Sequence, residues 1–107
     1  SGTLDDNGNL VALHIRVSGQ SILASVRPEG MQNGRDPVVF QGLAPDDPAK
    51  PTANEHAICY AVPNLLVDHA MRNPHVPPGF WRGVNVNQNA VYLECFMDEL
   101  AAAAKVD

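Results

Sequence analysis

The residues best placed to do chemistry lie in one short run, Gly79-Phe80-Trp81-Arg82-Gly83-Val84. It sets the chain's single tryptophan beside an arginine, follows Pro77-Pro78 and precedes the longest helical pattern in the sequence. The first backbone N–H groups of a helix have no partners inside it and favour anions, phosphates and oxyanions above all. An arginine adds a planar fork of donors that suits such groups. Glycines at 79 and 83 let the backbone come close to a ligand. Asn85, Asn87 and Asn89 supply capping and hydrogen-bonding groups. The chemistry this spacing suits is anion binding. A second reading stays open, in which Arg82 pairs with Glu94 farther along the helix and simply locks the turn.

The other reactive side chains are poorly arranged. Histidines 14, 56, 69 and 75 show no HxxxH or HxH spacing, so a zinc site would need ligands from distant loops. Surface or internally satisfied histidines are the expectation. Cys59 and Cys95 are far apart and match no metal pattern, and two buried free thiols are expected ahead of a disulfide. Cys95 lies well inside the helical pattern, where nothing activates a thiol. No GxSxG, P-loop or GxGxxG motif is present. No catalytic constellation and no metal ligand set is expected within this chain.

The elements that must position the turn follow from pattern. A chain of 107 residues is one domain on length. Its net charge of −5 gives no basic footprint, which argues against nucleic acid as a partner. No apolar run reaches membrane-spanning length, and no signal-peptide pattern appears. From Leu10 to Ser18 apolar and polar residues alternate, with Val11, Leu13, Ile15 and Val17 on one face, which predicts a half-buried strand. A short helix or strand is expected after Gly19. The stretch 27–54, rich in proline and glycine, reads as a long loop, with Asp46 to Pro51 solvated; its acids read as solubilising. Ala57 to Val62 and Leu65 to Met71 read as short strands. Helical spacing then runs from about Asn87 to Ala104, with Ala90, Leu93, Met97, Leu100, Ala101 and Ala104 on the apolar stripe and Asn89 off it. Glu94 lies on or beside that stripe and either finds a partner or reaches water at its edge. The expected fold is α+β: a small, mostly antiparallel sheet of three or four strands packed against a long C-terminal helix.

The run 79–84, followed by Gln88-Asn89-Ala90 and then Glu94-Cys95-Phe96-Met97-Asp98-Glu99-Leu100-Ala101, resembles a segment of the molybdenum hydroxylases, the xanthine dehydrogenase and aldehyde oxidase family. The likeness is greatest to the large, molybdopterin-binding (beta) subunit of the isoquinoline 1-oxidoreductase type. Gly19-Gln20-Ser21-Ile22 and Tyr60-Ala61-Val62-Pro63-Asn64-Leu65 share it, so the similarity spans most of the chain.

The resemblance implies an oxidoreductase that hydroxylates aldehydes or N-heterocycles with oxygen from water. Its cofactor would be a molybdenum-pterin, in the cytosine dinucleotide form common in bacteria. Arg82 would lie at the cofactor, with Gly83 and Trp81 beside it, and Val84 would line the substrate pocket where the family often places an aromatic. Glu94 would support the loop through the helix. The implied partners are the rest of the large subunit and an iron–sulfur small subunit, in the cytoplasm or periplasm.

Several family features have no counterpart here. The glutamate base near the family's C-terminal end and the other pterin-binding loops are not matched, and the cysteines fit no iron–sulfur pattern. Where the family runs from the helix into a D-P-x-x-F-R stretch, this sequence stops at Asp107. The expectation is an internal fragment, inactive and without cofactor on its own, and able to self-associate through surfaces its parent would cover. The competing expectation is a standalone, non-catalytic α+β interaction or assembly module.

Overall fold

The computed structural model describes residues 1–45 and 57–106. The solvated-loop reading of Asp46 to Pro51, and His56 among the histidines, lie outside the described residues.

The chain is α+β. Strand β1 (Gly2–Leu4) turns back through Asp5 to Asn9 into strand β2 (Leu10–Gly19). The turn is held by Asp5, whose Oδ1 accepts the N–H groups of Asn7 and Asn9 at 2.9 Å each. Those bonds, that from Asn9 foremost, hold the Asp5 carboxyl below its usual range. No alternation announces β1, because three residues are too few to show a period.

β2 is the strand that the alternation predicts. Its odd-numbered residues face inward and Leu13 is buried, while Arg16 and Ser18 are exposed. Helix α1 (Ile22–Val26) follows Gly19, as expected. Strand β3 (Asn64–Met71) pairs with β2 in parallel, Ala12 with Asn64 through Gly19 with Met71. The sheet, in order β1-β2-β3, is therefore mixed, one antiparallel and one parallel pairing. A parallel pair needs a long crossover, and the chain between Gln20 and Pro63 provides it.

Over residues 21–45 that crossover is more ordered than its composition suggests. It holds two 3₁₀ turns, Pro28–Gly30 and Pro37–Phe40, and buries Asp36, Val39 and Leu43. Each turn begins with a proline, whose fixed φ favours the first helical position. Asp36 is not a solubilising acid. It caps the second turn by accepting the Val38 N–H at 2.9 Å, and it accepts the Ser21 hydroxyl at 2.6 Å. Ser21 in turn caps α1 through the Ala24 N–H.

The strand expected over Ala57 to Val62 is absent. Ala57 makes one isolated bridge to Ala44, and the chain is irregular from there to β3. Cys59 and Cys95 are free, but exposed rather than buried. Cys59 has no strand to carry it inward, and Cys95 sits two residues past the buried Leu93, on the outer side of its helix.

Helix α2 (Val86–Ala104) matches the predicted span and ends at Lys105 in the left-handed conformation. Its inward face packs on the odd-numbered face of β2 and β3. Leu13, Leu43 and Leu93 form the buried centre, with Ile15, Val17, Leu65, Val67, Phe96, Met97 and Leu100 around it. The predicted stripe is corrected at its N-terminal end: Ala90 is exposed, while Asn89 is 1% exposed and points inward. The buried phase runs through residues 85, 89, 93, 97 and 100. It opens on asparagines because the surface they meet is a row of carbonyl groups, not side chains.

Candidate functional site: the turn before helix α2

The turn from Gly79 to Asn85 is built from the backbone. Trp81 C=O accepts the Val84 N–H at 2.9 Å, and Gly83 C=O accepts the Val86 N–H at 2.8 Å. Gly83 takes φ +82°, open to glycine and costly for other residues. Val84 takes φ +35°, unusual for a β-branched residue. Asn87 reaches back from the first turn of α2 and gives its amide to the Arg82 carbonyl at 3.0 Å. A Cβ on Gly83 would overlap that amide. The glycine thus serves a positive φ and a close approach at once.

The asparagine that opens the helix does not cap it. Asn85 gives its amide to Val38 C=O at 3.0 Å and its own N–H to the Gln41 side chain at 3.2 Å, and its Oδ1 accepts from Gln88. Asn89 gives its amide to Val39 C=O at 2.7 Å and to Gln41 C=O at 3.0 Å. These side chains fasten α2 to the 3₁₀ turn. The N-cap side chain bonds no N–H of the first turn of α2 and no acid lies in that turn, which leaves that end electropositive.

Onto this frame the chain places the residues singled out from sequence. Arg82 is exposed, and its guanidinium has no hydrogen-bond or ion-pair partner among the described residues. Trp81 is 79% exposed, so it is not packed into the core. Phe80 is partly exposed, with the Arg27 guanidinium 5.8 Å from its ring centre. Val84 is half-buried in the turn. Glu94 stands apart, nine residues beyond Asn85 and so roughly 13 Å along the helix. It accepts the Tyr60 hydroxyl at 2.6 Å and lies 4.0 Å from the Cys59 thiol. The hydrogen bond to Glu94 pushes the Tyr60 hydroxyl up to about 12, with burial and the Glu94 charge adding to it. Of the two readings left open for Arg82 and Glu94, the pairing is not formed.

No family model, curated protein or solved structure matches this chain.

A second polar group lies on the sheet face away from α2. Arg16 and Asp68 are direct register partners, joined by Arg16 Nε at 2.8 Å and a second guanidinium nitrogen at 3.2 Å. His14 Nε2 lies 3.2 Å from the same carboxylate. The Arg16 bond, helped by His14 and opposed by partial burial, holds the Asp68 carboxyl below its usual range. Among the described residues no three His, Cys, Asp or Glu side chains gather as a metal site.

Sequence reasoning missed Asp36 and Ser21 as structural groups, and it gave Asn85 and Asn89 a capping or hydrogen-bonding role without their inward direction. Asp36-Pro37 and Ser21 three residues before Ala24 do carry cap signatures. The inward asparagines carry no such local sign.

Proposed function

We propose that this chain is part of the large, molybdopterin-binding subunit of a molybdenum hydroxylase, and that the turn 79–85 meets an anionic portion of its cofactor. The observation that carries the reading is Arg82: an exposed guanidinium without a partner among the described residues, set just before a helix N-terminus that its N-cap residue does not cap. Its donors, with the first N–H groups of α2, suit phosphate or oxyanion oxygens. The sequence resemblance places a cofactor-side arginine at this same position.

In this reading Arg82 donates hydrogen bonds and positive charge. Gly83 lets the backbone approach, Trp81 offers an aromatic surface beside the arginine, and Val84 forms part of the substrate wall. Asn87, by holding the Arg82 carbonyl, keeps the arginine's backbone fixed; preorganised donors of this kind are what electrostatic catalysis requires. Glu94 supports α2 by tying residues 59–60 to it. When bound, the cofactor supplies the hydroxylation of an aldehyde or N-heterocycle with oxygen from water. Electrons would leave to an iron–sulfur partner subunit.

The test is the full-length gene product, assayed for molybdenum and pterin by elemental and fluorescence analysis. Stoichiometric cofactor supports the reading; a folded, full-length product with neither overturns it.

One observation favours a second reading, a non-catalytic interaction module. Val91 and Tyr92 on the outer side of α2 are each more than half exposed, close in sequence to Val86 and Trp81. Contiguous exposed apolar surface marks interaction sites. A chain that stays monomeric in sedimentation and unfolds cooperatively on its own would support it; self-association would argue against it.

A further inference from the structure

Strand β3 is the outer strand of the sheet, and among the described residues nothing pairs with its far side. Such a strand presents a row of unpaired N–H and C=O groups, which natural proteins usually blunt with proline, lysine, a bulge or extreme shortness. β3 uses none of these. It is eight residues long, NLLVDHAM, and pairs with β2 in unbroken register.

A groove runs beside it. Two clefts of about 490 and 370 Å³ share Arg35, Phe40, Leu66 and Val67 and together follow β3 from Leu65 to Met71. The crossover segment around Gln32 to Pro45 supplies the opposite wall. Leu66 is 56% exposed. Arg35 lies with its guanidinium 5.8 Å from the Phe40 ring centre and has no carboxylate partner among the described residues. The two nearby acids are already engaged, Asp36 by Ser21 and Val38, Asp68 by Arg16 and His14. Asp68 is ion-paired and Asp36 is buried against neutral donors, so the one exposed charged side chain lining the groove without an ion pair among the described residues is Arg35, and it is positive.

We propose that β3 accepts a further strand, an extended segment of another protein that places a carboxylate side chain against Arg35 and an apolar side chain against Leu66. Main-chain bonds along the edge would give affinity and alternate side chains specificity. A second copy of this chain fits less well, because the only acid its own β3 could bring is Asp68, already held in an ion pair. The proposal stands apart from the cofactor reading of Arg82, and its test needs no cofactor.

The probe is a fluorescein-labelled peptide of about eight residues, alternating threonine and valine with one central glutamate, matched to strand length. It is titrated with the full chain by fluorescence anisotropy, and β3 amide exchange is followed by NMR. The expected result is saturable binding that slows exchange at alternate β3 amides. Replacing the glutamate by glutamine, or Arg35→Gln in the protein, weakens binding by about five- to tenfold, the loss of one charge-assisted hydrogen bond. Methylating alternate peptide nitrogens abolishes binding without touching the protein. No binding, equal binding of the methylated peptide, or a chain that already dimerises through β3 in sedimentation would each overturn the proposal.

Discussion

Asn89, in the second turn of α2, gives its side-chain amide to Val39 C=O at 2.7 Å and is almost completely buried. The same amide also satisfies Gln41 C=O, so one side chain closes two carbonyls of the crossover segment. Its own Oδ1 is buried without a partner among the described residues. The docking of the helix that carries the Arg82 turn therefore rests on a polar clasp as much as on the leucine core.

Removing that clasp should be costly. Asn89→Ala leaves two buried carbonyls unpaired and is expected to lower stability by about 2–3 kcal/mol. Asn89→Asp, the same shape with acceptors facing acceptors, should lose more at neutral pH. Urea denaturation checks both; an Asp variant more stable than the Ala variant would contradict the account.

Gly83→Ala tests the turn. The added Cβ meets the Asn87 amide at a backbone position with φ +82°. A loss of about 1–2 kcal/mol is expected, part strain and part clash. In a double-mutant cycle with Asn87→Ala the clash disappears, so the two losses should be less than additive. Simple additivity would show that the two side chains do not meet.

Asp36 and Ser21 form a buried pair that caps two turns at once. Asp36→Ala should cost about 2–3 kcal/mol, combining a lost cap with an unpaired hydroxyl. Once Asp36 is gone, Ser21→Ala should cost clearly less than it does in the native chain. Equal costs would mean the pair does not form.

Tyr60 carries a pH signature. Its hydroxyl is pushed up to about 12 by the bond to Glu94. A folded pKa above the unfolded value of about 10 means the contribution to stability is complete below pH 10 and is lost as pH rises through the folded value. In a Tyr92→Phe background, Tyr60 is the only tyrosine left. Its ultraviolet titration should have a midpoint well above 10 and fall back toward 10 on Glu94→Ala. An unchanged midpoint would sever the link between the two residues.

Much of this structure is legible in the sequence, for reasons that differ by element. β2 shows itself because one buried face imposes a period of two on Val11, Leu13, Ile15 and Val17. α2 shows itself through the spacing of Leu93, Met97 and Leu100. The parallel pairing of β2 with β3 has no local sign, because it is fixed by a shared helix and a long crossover. The crossover itself lacks periodicity: short 3₁₀ turns held by Asp36 and proline bury only single residues such as Val39 and Leu43. Asn85 and Asn89 read as capping or hydrogen-bonding groups, but not as buried ones, because polarity tells nothing of a carbonyl row waiting opposite. At the candidate site, the glycine, the arginine and the helix start are legible; the partner that Glu94 takes is not, since it depends on where Tyr60 comes to lie.

The central claim is that Arg82 is held ready for an anionic cofactor. The most direct measurement compares turnover of the full-length gene product with its Arg82→Ala variant on an aldehyde or N-heterocycle, with circular dichroism and thermal melting run alongside. The account predicts a variant that melts like the parent, because the Arg82 side chain bonds nothing among the described residues, yet loses about a hundredfold or more in kcat, as removal of a preorganised donor does. Parent-level turnover in a folded variant would contradict it.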